Sequence, residues 1–175
     1  MRYQILHSVC EVPLEMPTTG LDLPQWLFRL SDKEYQACSK GRLAAGSSIL
    51  PDGTQTSVNV ESVGGHLMIQ HYIPEIALAE HLKLVSQSDC WLFHLWYVRL
   101  KVTWDIKLLP TSDTTCLFQN TVVVEHDSVI MKVLTALVLG NVFLKKHNAE
   151  ETPRFAHNLV DATTRKSHSG AISRS

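Results

Sequence analysis

The fold of this 175-residue chain is decided at residues 127–145, which read DSVIMKVLTALVLGNVFLK. Asp127 or Ser128 can cap the start of a helix. Lys132 and Lys145 lie outside the apolar side of that helix. The apolar residues recur on one wide stripe: Ile130, Val133, Leu134, Leu137, Val138, Val142 and Phe143. The pattern predicts a long helix whose apolar face packs on another element. Residues 133–144 are too few to cross a bilayer, so we expect no membrane insertion.

The segment before this helix reads as strands separated by tight turns. Gly53 after Pro51, and the pair Gly64 and Gly65, mark two hairpin turns. Seven strands are predicted, at residues 2–12, 43–50, 54–63, 66–74, 81–88, 91–109 and 115–125. Residues 21–39 predict two short helices, the first capped by Asp22 and the second opened by a capping box of Ser31 and Glu34. We therefore expect an α+β fold with an antiparallel sheet covered by the long C-terminal helix.

The C-terminal part of the helix is interrupted by Pro153, which lacks an N–H group. We expect the helix to kink there or to restart with Thr152 as its cap, which places residues 145–154 at a bend. From residue 163 the sequence is polar and aperiodic, which predicts a disordered tail. The expected organisation is one domain over residues 1–162 followed by a tail over residues 163–175.

Several segments carry a resemblance to a known superfamily. They read LSDKEYQACSKG at residues 30–41, PDGTQTSVNVESVGG at 51–65, LMIQHY at 67–72, VTWDI at 102–106 and HNAEETPRFA at 147–156. Together with the order of elements, they resemble the START/Bet v 1-like (SRPBCC) helix-grip superfamily, and its small polyketide cyclase-like proteins in particular, over residues 3–160. The resemblance implies a curved sheet wrapped around the helix, with a cavity for lipids, sterols, hormones or polyketides. It also implies that some members catalyse cyclisation, dehydration or aldol-type steps while others only bind.

Polar side chains in the central strands are the candidate site residues. Side chains alternate between the two faces of a strand, and either face could be the inner one. The candidate acid/base residues are His71, Glu61 and Asp105, and the candidate substrate-binding residues are Asn59, Gln70, Tyr72, Trp104 and Asn120. The alternative is that these polar residues form the solvated face of an ordinary antiparallel sheet.

Nine histidines raise the question of a metal site. His66 and His71 would face opposite sides of a strand, and His147 with Glu151 supplies only two ligands, so we predict neither a metal nor a cofactor. Charged residues on the helix favour a solvated turn with i,i+3 and i,i+4 pairs: His147, Glu150, Glu151 and Arg154. The alternative is that this turn gates the cavity or binds a partner.

Composition excludes other classes of function. With 16 Lys and Arg against 17 Asp and Glu, the chain has no basic field for nucleic acid. The first residues lack the apolar core of a signal peptide, and four scattered cysteines suit reduced thiols, which predicts a cytoplasmic protein. The expected partner is a small apolar or polyketide-like molecule, with a homodimer as a further possibility.

Two classes of function remain open. The first is a cofactor-independent cyclase, dehydratase or isomerase of secondary metabolism that acts by acid/base chemistry. The second is a carrier that binds an apolar ligand without changing it. We favour the enzyme because histidine and carboxylate side chains occur in the same central strands.

Overall fold

The computed structural model describes residues 2–130 and 140–172, with side chains as far as residue 165. Its elements, in chain order, are β1 (Tyr3–Leu14), α1 (Leu23–Leu27), α2 (Asp32–Cys38), β2 (Arg42–Ile49), β3 (Gln55–Val63), β4 (His66–Leu78), β5 (His81–Leu92), β6 (Trp96–Pro110), β7 (Cys116–His126) and α3 (Gly140–Ile172). Residues 129 and 130 are helical, close to the predicted start of the last helix. Residues 131–139, which carry most of the predicted apolar stripe, lie outside the described residues.

The strands form one antiparallel sheet in the order β1-β7-β6-β5-β4-β3-β2. The predicted seven strands and the α+β class are therefore confirmed. Alternate residues of the central strands are buried on the inner face, as shown by Leu82 and Leu84 on β5 and by Val102, Trp104 and Ile106 on β6. These residues build the core, because one face of the sheet is covered and the other is open to solvent.

Helix α3 covers the inner face with aromatic and polar contacts. Phe155, which is fully buried, packs edge-on against Trp26 of α1 at 5.6 Å between ring centroids. It also lies 5.5 Å from the ring of Trp104 on β6. The backbone remains helical through Pro153, so α3 does not restart at Thr152. The helix continues to Ile172, through most of the segment for which the sequence predicts a disordered tail.

The local signals for caps and turns are confirmed by the geometry. The Asp22 side chain accepts a hydrogen bond from the N–H of Gln25, and Ser31 with Glu34 forms the predicted capping box. Gly64 and its neighbour both have positive φ at the β3–β4 turn. Among the described residues, no helix is long and apolar enough to cross a membrane.

One turn of the sheet lies at a different position from the predicted one. The sequence predicts strands over residues 81–88 and 91–109, whereas β5 continues to Leu92 and the chain reverses between Leu92 and Trp96. Phe93 and His94 occupy the left-handed region there, with φ of 51° and 60°. Residues other than glycine adopt this conformation infrequently, so the sequence contains no ordinary signal for the turn.

Candidate functional site

A cavity of about 340 Å³ lies between the inner face of the sheet and α3. Its wall is largely apolar and includes Ile5, Met68, Leu100, Val102, Val122 and Leu144. Phe93 and Trp96 also line the cavity, and they are 52% and 66% exposed. The cavity therefore opens beside the β5–β6 turn and has a volume near the lower end for small-molecule sites.

A buried charged cluster closes one end of the cavity, and Arg42 is at its centre. Nη1 of Arg42 donates to Oε1 of Glu61 at 2.8 Å, and Nη2 donates to Oε2 of Glu151. The guanidinium carbon lies 4.1 Å from the ring centroid of Tyr35 and 4.5 Å from that of Phe155. The guanidinium is thus paired at its edge and stacked on its faces, an arrangement that suits a buried arginine.

His147 completes the charged cluster from α3. Its Nε2 lies 3.0 Å from Oε2 of Glu151 and 3.5 Å from Oε2 of Glu61. Neither contact has the alignment of a full hydrogen bond, so Nε2 has no hydrogen-bond partner among the described residues. Nδ1 lies 3.3 Å from Oγ of Ser39, which accepts a hydrogen bond from the N–H of Gly41. The chain before β2 therefore fixes the orientation of the imidazole ring.

The cluster holds its members in charged forms. Burial alone would raise the pKa of Glu61, but the charge of Arg42 and the contacts with His147 and Tyr35 lower it to about 2. Burial alone would lower the pKa of His147, but its contacts with Glu151 and Glu61 raise it to about 10. At neutral pH the cluster therefore contains cationic Arg42 and His147 beside anionic Glu61.

Two other polar groups of the wall are neutral. Burial raises the pKa of Tyr72 well above its ordinary value, so its phenol stays protonated. Gln70 lies in the cavity wall and is 4% exposed, and its Oε1 has no hydrogen-bond partner among the described residues. A buried acceptor without a partner is costly, which makes Gln70 a candidate ligand-binding group.

A second polar cluster joins α3 to the sheet. Nδ2 of Asn120 donates to Oδ1 of Asn148 at 2.9 Å, and Nδ2 of Asn148 donates to Oγ of Ser8 at 3.0 Å. The indole N–H of Trp104 donates to Oδ1 of Asn120 at 2.7 Å. These groups satisfy one another and connect β1, β6 and β7 with the helix, which points to a structural role.

The structure brings four of the predicted site residues together at the cavity: Glu61, Gln70, Tyr72 and Trp104. Asn59 is buried on the same face, but it lies outside the cavity wall and accepts a hydrogen bond from the Ser57 hydroxyl at 3.0 Å. Asn120 is fully buried in the second polar cluster and does not line the cavity either.

His71 and Asp105 lie away from the cavity, which corrects the predicted grouping with Glu61. His71 is exposed and pairs across the sheet with Val58, whereas Glu61 pairs with Met68 on the inner face. Asp105 lies 2.9 Å from Nε2 of His81 on the outer side of β6. Side chains alternate along each strand, so neither residue can share a face with its inward neighbours Gln70, Tyr72 and Trp104.

The prediction of a solvated helical turn is wrong for two of its four residues, His147 and Glu151. The side chains of His147 and Glu151 are 11% and 3% exposed, because this side of α3 faces Arg42. Glu150 and Arg154 are less buried, with side chains that are 35% and 49% exposed, and Arg154 donates to the backbone carbonyl of Cys38 at 3.1 Å. The i,i+4 spacing of His147 and Glu151 was the available signal for the cluster.

Neither Arg42 nor Tyr35 was identified from the sequence as a site residue. Each belongs to a separate element, and no local spacing relates them to residues on α3. Within the ranges that the structure describes, no group of three or more His, Cys, Asp or Glu side chains is placed to hold a metal ion. The four cysteines are free.

Solved structures share this architecture. The Zhui aromatase/cyclase from Streptomyces sp. R1128 is similar with a TM-score of 0.61 and 7% identity, over 91% of this chain and 94% of that one. This chain has the helix-grip fold. A protein from Thermus thermophilus is similar with a TM-score of 0.58 and 13% identity, over 89% and 98% of the two chains.

A norcoclaurine synthase mutant from Thalictrum flavum, solved with a transition-state analogue, is similar with a TM-score of 0.53 and 13% identity, over 90% of this chain and 96% of that chain. No protein-family model matches the sequence, and no curated protein matches it. The helix-grip fold that the resemblance implies is thus confirmed. Because the helix-grip fold carries different activities, function has to be argued from the cavity.

Proposed function

We propose that this helix-grip protein binds a small, largely apolar molecule in the cavity between its sheet and α3. The observation that carries the proposal is the distribution of polarity in the wall. Apolar side chains surround about 340 Å³ of space, and the charged groups are gathered at the end formed by Arg42, Glu61, His147 and Glu151. Such a cavity gives affinity through apolar burial and orientation through a few polar contacts.

The carrier function fits the electrostatics of the cluster. General acid/base catalysis near neutral pH works best with groups whose pKa is close to the working pH. The pKa of Glu61 is lowered to about 2 and that of His147 is raised to about 10, so both are poorly suited to shuttle protons at pH 7. Their fixed charges can instead orient a polar group of the ligand.

A cofactor-independent cyclase, dehydratase or isomerase is the second candidate. It is favoured by the position of His147, which lines the cavity and whose Nε2 has no hydrogen-bond partner among the described residues. A protonated imidazole can stabilise negative charge that develops on a carbonyl oxygen, even where it does not exchange its proton. The fold similarity to an aromatase/cyclase is compatible with such chemistry.

Native mass spectrometry of the purified protein, followed by extraction of any bound compound, tests the proposal. We expect one small apolar molecule per chain. An oxygenated polyketide or lactone would favour the enzyme, whereas an unreactive lipid would favour the carrier. A matched pair of variants locates the ligand: Val122 lies in the cavity wall, and Val9 of the neighbouring strand is exposed and lies outside it.

Titration with the neutral dye N-phenyl-1-naphthylamine gives the readout for these variants. Val122→Phe should weaken dye binding at least tenfold, because the larger ring fills the cavity, and Val9→Phe should leave it unchanged. Circular dichroism checks that both variants fold. If folded Val122→Phe binds the dye as tightly as the unaltered protein, the ligand does not occupy this cavity.

A further inference from the structure

The charges in the cavity wall restrict the kind of ligand beyond its apolar character. Two cations, Arg42 and His147, face two carboxylates, Glu61 and Glu151. Both terminal nitrogens of Arg42 donate to these carboxylates, whereas its buried Nε has no hydrogen-bond partner among the described residues. The two cations at the polar end of the cavity are thus matched in number by two carboxylates.

The other titratable groups of the described wall add no compensating cation. Nδ1 of His66, at the mouth, accepts a hydrogen bond from the N–H of Phe93 at 3.0 Å, and burial lowers its pKa. Burial keeps Tyr72 protonated and raises the pKa of Cys90 to about 11. An ionised carboxylate ligand would lose its hydration beside two cations that Glu61 and Glu151 already match, so it would add an uncompensated negative charge.

The wall does offer partners for a neutral polar group. Oε1 of Gln70 and Nε2 of His147 both lack hydrogen-bond partners among the described residues, and both residues line the cavity. The first is an acceptor and the second, in the protonated ring, is a donor. A hydroxyl group can satisfy both kinds of partner, since it donates one hydrogen bond and accepts others.

We propose that the cavity selects a neutral, hydroxyl-bearing or carbonyl-bearing apolar molecule and rejects the corresponding carboxylate. This inference rests on the proposed function, because it names the class of ligand for the same cavity. It separates a neutral polyketide, phenol or alcohol from a fatty acid, although all of these have the apolar body that the wall requires.

Isothermal titration calorimetry at pH 7 with four matched probes tests the selection. The probes are naphthalene, 2-naphthol, 2-naphthamide and 2-naphthoate, of which the amide is a neutral analogue of the carboxylate with nearly the same shape. We expect the amide to bind at least tenfold more tightly than the carboxylate. We expect 2-naphthol to bind about fivefold more tightly than naphthalene, as one satisfied buried acceptor would give.

A pair of glutamine variants assigns the neutral contact. Gln70→Leu should abolish the difference in affinity between 2-naphthol and naphthalene. Gln87→Leu, on the exposed side of β5, should bind all four probes as the unaltered protein does. Gln70→Leu is expected to fold, because leucine is close to glutamine in size and removes an unpartnered polar group.

The possible failures can be told apart. Equal affinity for the carboxylate and the amide would overturn the selection against anions. No gain of 2-naphthol over naphthalene, or a gain that survives Gln70→Leu, would overturn the role of Gln70. If no probe binds at all, naphthalene included, the proposed apolar site itself is wrong.

Discussion

Replacing Arg42 by methionine should destabilise the protein more than the loss of any surface charge. The side chain of Arg42 is 2% exposed, and those of its partners Glu61 and Glu151 are 9% and 3% exposed. Arg42→Met would leave both carboxylates buried with one cation of the cluster, His147, instead of two. Removing one partner of a buried ion pair costs about 3–5 kcal/mol, because the remaining charge is uncompensated.

Urea denaturation provides the measurement. With a urea dependence of about 2 kcal/mol per molar, a loss of about 3–5 kcal/mol lowers the midpoint by about 1.5–2.5 M. Arg99→Met is the matched control, since the side chain of Arg99 is 65% exposed and lies 3.3 Å from Asp89. A surface pair of this kind contributes at most about 1 kcal/mol.

A triple variant separates charge from packing. Arg42→Met combined with Glu61→Gln and Glu151→Gln removes both buried carboxylates, so that no carboxylate remains in excess of His147, and should recover more than half of the stability lost in the single variant. If Arg42→Met costs no more than Arg99→Met, the buried ion pairs of Arg42 do not stabilise the protein more than a surface pair does. If the triple variant is no more stable than Arg42→Met alone, the loss comes from packing and not from charge.

Two further predictions concern the same end of the cavity. The folded pKa of His147 is about 10, above its ordinary value of 6.5, so its stabilising contribution is complete below pH 6.5 and is lost as the pH rises toward 10. Between pH 6.5 and pH 10 the unfolding free energy of the unaltered protein should therefore fall more steeply with pH than that of His147→Gln, by up to about 1.4 kcal/mol per pH unit. Urea midpoints that change in parallel with pH in the two proteins would contradict this. Gly41→Ala should cost about 1–3 kcal/mol, because its new Cβ would lie 2.5 Å from the carbonyl oxygen of Ser62 and 3.3 Å from the His147 ring. Gly46→Ala is the control, since its Cβ would meet nothing within 4 Å, and an equal loss in both variants would show that the contact at Gly41 is unimportant.

The sheet was predictable because its signals are local. Gly53 and Gly64 have positive φ at the turns where the sequence predicted hairpins, and such turns fix the order of neighbouring antiparallel strands. The β5–β6 turn was predicted at the wrong position because Phe93 and His94 adopt positive φ without a glycine. Local residue preferences do not predict that conformation, which the surrounding structure must impose.

The candidate site was only partly predictable. The alternation of side chains along a strand assigns residues to two faces, but it does not show which face the helix covers. On β4 the outer face carries Ile69 and His71, and the inner face carries Gln70 and Tyr72. The more polar face of this strand is thus the buried one, which reverses the usual pattern. His71 was selected with Glu61 because both have suitable chemistry, but the register places them on opposite faces.

The charged cluster depends on contacts that only the folded chain creates. Arg42 on β2 and Glu151 on α3 are 109 residues apart, and their pairing requires the helix to cross the edge strands at one position. A buried charge pair of this kind penalises other placements of the helix, because each would leave a charge unpaired. His147 and Glu151 looked like surface residues because a helical spacing alone does not reveal what the helix faces.

The four side chains of the charged cluster hold α3 against the sheet and also determine the net charge at this end of the cavity. A change in Arg42, Glu61, His147 or Glu151 should therefore alter stability and ligand preference together, and binding data from such variants alone cannot separate the two effects. Gln70 differs because it lines the cavity and its carbonyl oxygen has no partner among the described residues. Gln70→Leu should change the preference for a hydroxyl group with little change in unfolding free energy, which makes it the variant that isolates recognition from folding.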